Sequence, residues 1–299
     1  MENRTPSRPF HPGTLARLLR VQQWIKNGFV LFPAFFAGVL FHPDILWRTL
    51  CGFACFSLAA SAVYIFNDLR DVEQDRQHPV KRLRPLAAGG FPSAMAPWLS
   101  ALLAITALGV AWLVKPKFAL VLVAYLVMNL LYSSFLKHIS IVDVAIIALG
   151  FLLRIYAGSV LALVPNSQWI YLVTFLLALF LALAKRRDDL VQAGGGAGLR
   201  KSLDGYNKPF VDAMMVALAA LVVQSYIMYT VDPSVTGRIG TDKLYVTSGF
   251  VVLGMMRYFQ ITLVEKRSGA PTKLVFTDRG IQLVLLGWLI SFGIILYAY

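Results

Sequence analysis

Asparagine and aspartate recur at a regular spacing over residues 67–75, which read Asn-Asp-Leu-Arg-Asp-Val-Glu-Gln-Asp. If the preceding apolar run continues as a helix, Asp68, Asp71 and Asp75 fall on one face, because residues three, four and seven apart share a face. Asn67 can replace Asp68 as the first member of that face. Oxygen ligands stacked at a water-exposed helix end suit Mg²⁺, which takes one or two carboxylates plus substrate phosphate oxygens. The alternative, a solvated loop, does not require aspartates at this spacing.

Basic residues gather in two polar segments, one following this motif and one starting at residue 185. The bases there are Lys81, Arg82, Arg84, Lys185, Arg186, Arg187, Arg200, Lys201 and Lys208, and Tyr206 lies in the second segment. Three glycines at 194–196 could bend around a phosphate, but such a run is more often slack. The alternative for the bases is an anchor on the cytoplasmic side of the membrane. Three consecutive bases at 185–187 are the stronger indication of an anion site.

A further arginine, Arg154, lies inside an apolar run about eleven residues past Asp143. A guanidinium at that depth is costly and usually marks a pathway or the counter-charge of a ligand. A structural pair with an acidic side chain is the alternative. Because no Asp or Glu falls deep in an apolar run, we expect an external anion as its partner. Tyr132 and Lys137 end the preceding run, where the same cavity would open.

The elements that carry these residues are membrane spans. The 299 residues are 58% hydrophobic and 14% charged, with a mean hydropathy of +0.67, whereas soluble domains are about 25% charged. This composition excludes soluble enzymes and disordered or nucleic-acid-binding tails. The net charge of +13 indicates cytoplasmic loops and anionic substrates, with no nucleic acid partner. Cys51 and Cys55 would share a helix face as small core residues.

Nine apolar runs are long enough to cross a bilayer, which takes roughly 20 residues. They cover about 24–41, 45–66, 94–114, 117–136, 141–163, 168–184, 211–231, 244–264 and 280–298. Residues 1–23 form a cytoplasmic amphipathic segment without the features of a cleaved signal peptide, and 24–299 form one catalytic membrane domain. With the N-terminus inside, cytoplasmic positions hold 21 of the 28 Lys and Arg residues, which predicts a cytoplasmic N-terminus and active site.

The pattern NDxxDxxxD at the end of the second run resembles the signature of the UbiA-like superfamily of intramembrane prenyltransferases. Further blocks resemble its decaprenyl-phosphate phosphoribosyltransferase branch. They are QQWIKN (22–27), SAVYIFNDLRDVEQDRQHPVKRLRPLAAG (61–89), LKHISIVDV (136–144), FLLRIYAG (151–158), LALAKRRDDL (181–190), RKSLDGY (200–206) and TDRGIQL (277–283). The resemblance implies an all-α integral membrane protein with nine transmembrane helices in a UbiA-like bundle, capped by cytoplasmic loops, in a bacterial inner membrane.

The chain departs from the wider superfamily after the sixth run. Prenyltransferases carry a second aspartate-rich motif there, which holds a second metal, whereas this chain has Lys185-Arg186-Arg187. One metal motif and one basic motif favour two anionic substrates. By resemblance, the donor is 5-phosphoribosyl 1-diphosphate and the acceptor a polyprenyl phosphate of the decaprenyl type, used for cell-envelope polysaccharide precursors. The branch has an acidic residue near Asp189, and the roles of Asp188 and Asp189 stay open.

The reaction needs charge and placement, since the acceptor phosphate is already an anion and no general base is required. By resemblance, Mg²⁺ lies at Asn67 and Asp71, supported by Asp68 and Asp75, and stabilises the leaving diphosphate. Arg154 would anchor the lipid phosphate beside the catalytic aspartates. The remaining predicted substrate-binding residues are Lys26, Tyr64, Lys81, Arg82, Lys137, Lys185, Arg186, Arg200 and Tyr206.

Two alternatives belong to other functional classes. A prenyltransferase with an aromatic acceptor would need fewer bases at 185–187. A transporter of lipid anions would move substrate without releasing diphosphate, and it leaves the spacing of the 67–75 motif unexplained. Membrane lipids surround the protein in each case, and a homo-oligomer is compatible with the sequence.

Overall fold

The computed structural model is all-helical, and it describes residues 12–77, 79–165, 167–192, 201–266 and 271–297. Thirteen α-helices follow one another within these described residues. They are α1 (Pro12–Leu18), α2 (Phe32–Phe36), α3 (Pro43–Arg70), α4 (Val72–Gln77), α5 (Ala96–Val114), α6 (Pro116–Ser134), α7 (Val142–Ala162), α8 (Gln168–Gln192), α9 (Lys208–Val231), α10 (Pro233–Ile239), α11 (Ser248–Phe259), α12 (Pro271–Thr277) and α13 (Arg279–Tyr297).

Short 3₁₀ segments lie between these helices, and one π-helical turn extends α11. The 3₁₀ segments are Val21–Val30, Lys81–Leu83, Leu136–His138, Lys201–Gly205 and Lys243–Thr247, and the π-helical turn is Gln260–Val264. A single turn of this rare helix often occurs near functional sites.

Eight helical stretches within the described residues are long and apolar enough to cross a membrane. They are α3, α5, α6, α7, α8, α9, the stretch Lys243–Val264 and α13. The protein is therefore a multi-pass membrane protein.

The first of the nine predicted spans, 24–41, does not form one long helix. It is divided into the 3₁₀ segment Val21–Val30 and the short helix α2. Pro33 cannot donate a backbone hydrogen bond to the preceding turn, so it starts a new helix instead of continuing one. Gly38 then adopts a left-handed backbone with φ +74°, which ends the segment. The predicted count of nine long helices is not confirmed.

The described residues fall into two compact units. The first comprises residues up to Ala34, Leu40–Ser133 and Tyr156–Val164, and the second comprises Phe35–Val39, Ser134–Ile155 and the chain from Pro165 onward. Helix α7 contributes its first part to the second unit and its last part to the first.

The first unit is built on the packing of α3 against α5, and α1 packs against α3. Leu18 of α1 is completely buried, together with Ile65 of α3 and Leu86. In the described part of the predicted N-terminal amphipathic segment, the apolar side chains thus pack against the rest of the protein. Burying a leucine side chain in this way contributes about 1.5–3 kcal/mol.

In the second unit, α8 packs along α9 and α11 packs along α13. Its larger core centres on Phe180, Val211 and Met215, all nearly or completely buried. Helix α9 begins where the Asn207 side chain accepts a hydrogen bond from the Phe210 amide at 2.8 Å, a typical N-terminal cap. This unit places the basic run 185–187 at the end of α8.

Candidate active site

The 67–75 motif follows an almost continuous helical path from α3 into α4. The Asp71 amide donates to the Asn67 carbonyl at 3.0 Å, and the Asp75 amide donates to the Asp71 carbonyl at 2.8 Å. Asp71 itself ends α3, with φ −96° and ψ 8°. The four polar side chains of the motif separate into two pairs.

The first pair is Asn67 and Asp71, both half-buried. The Asn67 amide Nδ2 donates to the Asp71 carboxylate Oδ2 at 3.1 Å. The amide oxygen of Asn67 and the carboxylate oxygens of Asp71 are acceptors on side chains one helical turn apart. This pair has the ligand chemistry that Mg²⁺ prefers.

The second pair is Asp68 and Asp75, both buried and both bound by arginines. Arg84 Nη1 lies 3.0 Å from Asp68 Oδ1 and 2.7 Å from Asp75 Oδ2. Arg20 also donates to Asp68 Oδ1, and its guanidinium lies 4.6 Å from the centre of the Tyr64 ring. A buried carboxylate requires such compensation. Arg20 is not among the site residues predicted from the sequence. The signal that points to its role is the need of a buried carboxylate for a cation as partner.

The described residues contain no group of three or more His, Cys, Asp or Glu side chains arranged to hold a metal ion. Mg²⁺ usually keeps several waters and is bound through one or two protein carboxylates together with substrate phosphates. The donor set of Asn67 and Asp71 fits that mode, whereas Asp68 and Asp75 are paired with arginines.

The other predicted residues of the first unit lie on short segments. Lys26 is half-buried on the 3₁₀ segment Val21–Val30. Lys81 is half-buried and Arg82 exposed on the 3₁₀ turn that follows α4. Tyr64, half-buried on α3, lies one helical turn before the acidic motif.

In the second unit, the three bases at the end of α8 have three different environments. Lys185 is exposed, whereas Arg186 is 1% exposed and Arg187 is buried. Arg187 Nε lies 2.5 Å from Asp212 Oδ1, and its Nη1 donates to the Thr262 carbonyl at 3.2 Å. Arg187 therefore links α8 to α9 and to the π-helical turn.

Arg186 belongs to a buried network with Asp143, Asp189 and Tyr206. Its Nε lies 2.7 Å from Asp143 Oδ2, and its Nη1 lies 2.8 Å from Asp189 Oδ2. The Tyr206 hydroxyl donates to Asp143 Oδ1 at 2.8 Å. Burial, together with this hydrogen bond, raises the pKa of Tyr206 above its ordinary value. The Arg186 guanidinium and the Tyr206 hydroxyl thus have partners within the protein. Substrate contact by either residue stays a prediction.

Lys137 and Arg154 are both buried in the second unit. Arg154 Nη1 donates to the Gly150 carbonyl at 2.8 Å, and its guanidinium lies 5.5 Å from the centre of the Phe151 ring. Arg200 lies outside the described residues. The sequence analysis did not assign Asp143 and Asp212 to the site, and their ion pairs with Arg186 and Arg187 could not be read from spacing.

Residues 27–290 match the model of the UbiA prenyltransferase family. The chain belongs to this family. It is 35% identical over 286 residues to a decaprenyl-phosphate phosphoribosyltransferase of Mycobacterium tuberculosis, with 93% of each chain covered. A protein of the same name from Corynebacterium glutamicum is 32% identical over 303 residues, covering 100% of this chain and 90% of that protein.

Solved structures of the UbiA family show the same fold. A UbiA homologue from Archaeoglobus fulgidus bound to GPP and Mg²⁺ superposes with a TM-score of 0.71 at 18% identity, covering 96% of this chain and 100% of that one. The apo structure of a UbiA homologue from Aeropyrum pernix K1 has a TM-score of 0.66 at 16% identity, covering 91% and 98%. The all-helical UbiA fold predicted from the sequence is confirmed.

Within this UbiA-family protein, several of the predicted residues lie in two clusters, one in each unit. The first cluster is the acidic motif with its arginines on α3, α4 and the following segment. The second is the network around Arg186 and Arg187 at the end of α8. Each cluster combines carboxylates with guanidinium groups, so the local charges are largely compensated.

Proposed function

We propose that this protein transfers 5-phosphoribose from 5-phosphoribosyl 1-diphosphate to a polyprenyl phosphate and releases diphosphate. The observation that carries the proposal is 32–35% identity to decaprenyl-phosphate phosphoribosyltransferases over nearly the full length of both chains. The basic run that begins at Lys185 supports it, because a substrate pair with two phosphate-bearing partners needs more cations than an aromatic acceptor does. In this proposal the active site lies on the cytoplasmic side of a bacterial inner membrane.

The transfer forms a bond between the acceptor phosphate oxygen and C1 of the ribose, and it breaks the bond from C1 to the diphosphate oxygen. The electron pair of the broken bond leaves with the diphosphate. An acceptor that is already an anion supplies its own nucleophilic oxygen, so no side chain has to remove a proton. The four histidines are accordingly not assigned a role in proton transfer.

In the first unit, Asn67 and Asp71 would hold the metal, and Asp68 and Asp75 would fix their surroundings. Mg²⁺ bound there supplies positive charge against the negative charge that develops on the leaving diphosphate. Arg84 joins Asp68 to Asp75 through one nitrogen, which keeps the helix end that carries the pair in one conformation. Lys26, Tyr64, Lys81 and Arg82 are proposed to contact the donor.

In the second unit, Lys185 is the exposed cation of the basic run and the best-placed of the three to contact a phosphate. Lys137 and Arg154 are proposed to bind the phosphate groups of donor and acceptor, with Arg154 on the lipid phosphate. Arg200 is proposed as a further phosphate ligand from its sequence position alone. Arg186 and Tyr206 would act through the network that they form.

The decisive experiment is incubation of purified protein with labelled 5-phosphoribosyl 1-diphosphate, Mg²⁺ and a polyprenyl phosphate. We expect phosphoribosylated lipid and diphosphate in equal amounts. Replacing the substrates with a prenyl diphosphate and an aromatic acid tests the prenyltransferase alternative, and liposome flux without diphosphate release tests the transporter. Product in either of those assays, with none in the first, would overturn the proposal.

A further inference from the structure

Asp143 joins three segments that are far apart in the sequence. It lies in the first turn of α7 and is completely buried. Its carboxylate accepts hydrogen bonds from Arg186 Nε at 2.7 Å, from the Tyr206 hydroxyl at 2.8 Å and from the Val144 amide at 2.9 Å. The start of α7, the end of α8 and the segment before α9 thus meet at one carboxylate.

The Tyr206 hydroxyl has a second bond that stabilises an unusual backbone conformation. The Ile141 amide donates to its oxygen at 2.6 Å, and Ile141 has φ +69°. A β-branched residue is strained in this left-handed region, so the bond from Tyr206 holds it there. The two segments also approach closely, since a Cβ added at Gly205 would lie 2.2 Å from Ser140 Oγ.

Two proposed phosphate ligands lie close to this network along the chain. Lys185 precedes Arg186 in α8, and Lys137 lies on the 3₁₀ turn Leu136–His138, four residues before Ile141. The charge of Arg186 is compensated by Asp143 and Asp189. Lys185 is the exposed member of the basic run, and the part of α8 that carries it is joined to the start of α7 through Arg186.

We propose that Asp143 and Tyr206 are positioning residues that set the locations of Lys137 and Lys185. The proposal rests on the proposed function in one respect, namely that these lysines bind phosphate oxygens of the donor. Neither Asp143 nor Tyr206 touches substrate in this account. Tyr206 acts by donating to Asp143 and accepting from the Ile141 amide.

The first test compares Tyr206→Phe with Tyr229→Phe. Tyr229 is a matched control because it is a buried tyrosine of the same unit whose hydroxyl has no hydrogen-bond partner within the described residues. If the lysines bind the donor phosphates equally strongly in the ground state and in the transition state, weakening that binding raises KM more than it lowers kcat. We expect Tyr206→Phe to raise the KM for 5-phosphoribosyl 1-diphosphate by about tenfold, with a smaller change in kcat.

A second variant tests the strained backbone. Glycine adopts φ above zero without strain, so Ile141→Gly should partly restore the KM of Tyr206→Phe. In the wild-type background Ile141→Gly should change KM by less than about twofold, because Tyr206 already holds the backbone. A purely structural role for Tyr206 would instead lower the thermal midpoint and leave the KM of the folded enzyme unchanged, and that result would overturn the proposal.

Hydrogen exchange separates this inference from the proposed function. Tyr206→Phe should accelerate amide exchange over residues 136–142, whereas Tyr229→Phe should not. If wild-type protein fails to transfer phosphoribose while the two variants show this difference in exchange, the proposed function alone is overturned. Unchanged exchange over 136–142 in Tyr206→Phe would overturn the positioning role. Asp143→Asn, which keeps the side-chain shape, should reproduce the pattern if it folds, and Tyr206→Phe decides the matter if it does not.

Discussion

Asn67 and Asp71 contact one another, whereas Asp68 and Asp75 are bound to arginines. Because of this difference, we expect mutations in the first pair and mutations in the second pair to have different effects. Removing either member of the first pair removes a proposed metal ligand while leaving the arginine contacts intact. Removing Asp68 would take away a buried carboxylate that pairs with both Arg20 and Arg84. The loss of these ion pairs would destabilise the protein as well.

We therefore expect Asn67→Ala and Asp71→Ala each to abolish transfer without lowering the thermal midpoint substantially. Chelator-treated wild-type protein should be inactive and should recover with Mg²⁺. Glu73→Ala is the matched control, because Glu73 lies on α4 with a side chain that is 75% exposed and pairs with Arg76. Full activity in excess chelator would contradict the metal assignment.

Arg154 provides a second test at the scale of one residue. It is buried, and it donates to the Gly150 carbonyl. If it also holds the lipid phosphate, Arg154→Gln should fold normally and lose roughly 10- to 150-fold in turnover efficiency, since hydrogen bonds to charged groups contribute about 1.5–3 kcal/mol. Donor affinity should survive.

The measurement is donor binding and lipid-dependent turnover on the same folded variant. Arg238→Gln, an exposed arginine on α10, is the control and should leave both unchanged. Intact turnover in Arg154→Gln would show that Arg154 has a structural role. Loss of donor binding alone would show that Arg154 contacts the ribose of the donor and not the lipid phosphate.

At the scale of elements, the 3₁₀ segment Val21–Val30 is held close to the last part of α7. A Cβ added at Gly158 would lie 2.1 Å from the Val30 carbonyl oxygen, so this helix position accepts only glycine at the observed separation. We expect Gly158→Ala to cost about 1–3 kcal/mol of stability and to reduce activity by displacing the segment that carries Lys26. Gly109→Ala on α5, where no atom lies within 4 Å of the added Cβ, should be neutral or stabilising in thermal unfolding.

The start of α13 depends on an ion pair whose strength varies with pH. Asp278 accepts from the Ile281 amide at 3.0 Å and from Arg257 Nη2 at 2.7 Å. The hydrogen bond from Arg257 lowers the pKa of Asp278 to about 2, below the value of about 3.9 for an unfolded chain. A lowered pKa stabilises the folded state above the unfolded value, and this contribution is lost as pH falls from about 4 to about 2.

We expect Asp278→Asn to lower the thermal midpoint at pH 6 and to differ less from wild type as the pH falls toward 2. Thermal unfolding at several pH values measures the difference between the two proteins. A difference between Asp278→Asn and wild type that stays constant from pH 6 to pH 2 would contradict the role assigned to the ion pair.

At the scale of the whole molecule, the net charge of +13 is distributed unevenly along the chain, which predicts the orientation in the membrane. With Cys51 and Cys55 replaced, single cysteines at Arg82, Lys208 and Lys243 can be probed with a membrane-impermeant maleimide on intact cells. We expect Lys243→Cys to react, and Arg82→Cys and Lys208→Cys to react only after the cells are opened. Reaction of Arg82→Cys in intact cells would contradict a cytoplasmic active site.

The sequence by itself determined the membrane class, the positions of the long helices and the family. Apolar content and helical period are properties of neighbouring residues, and the motif ending at Asp75 could be recognised for the same reason. Only the tertiary structure decided how the acidic motif divides, because Arg20 reaches Asp68 from 48 positions away. It likewise decided that Asp143 compensates Arg186, 43 positions away. A buried carboxylate must have a cation, but which cation supplies it depends on how distant segments pack.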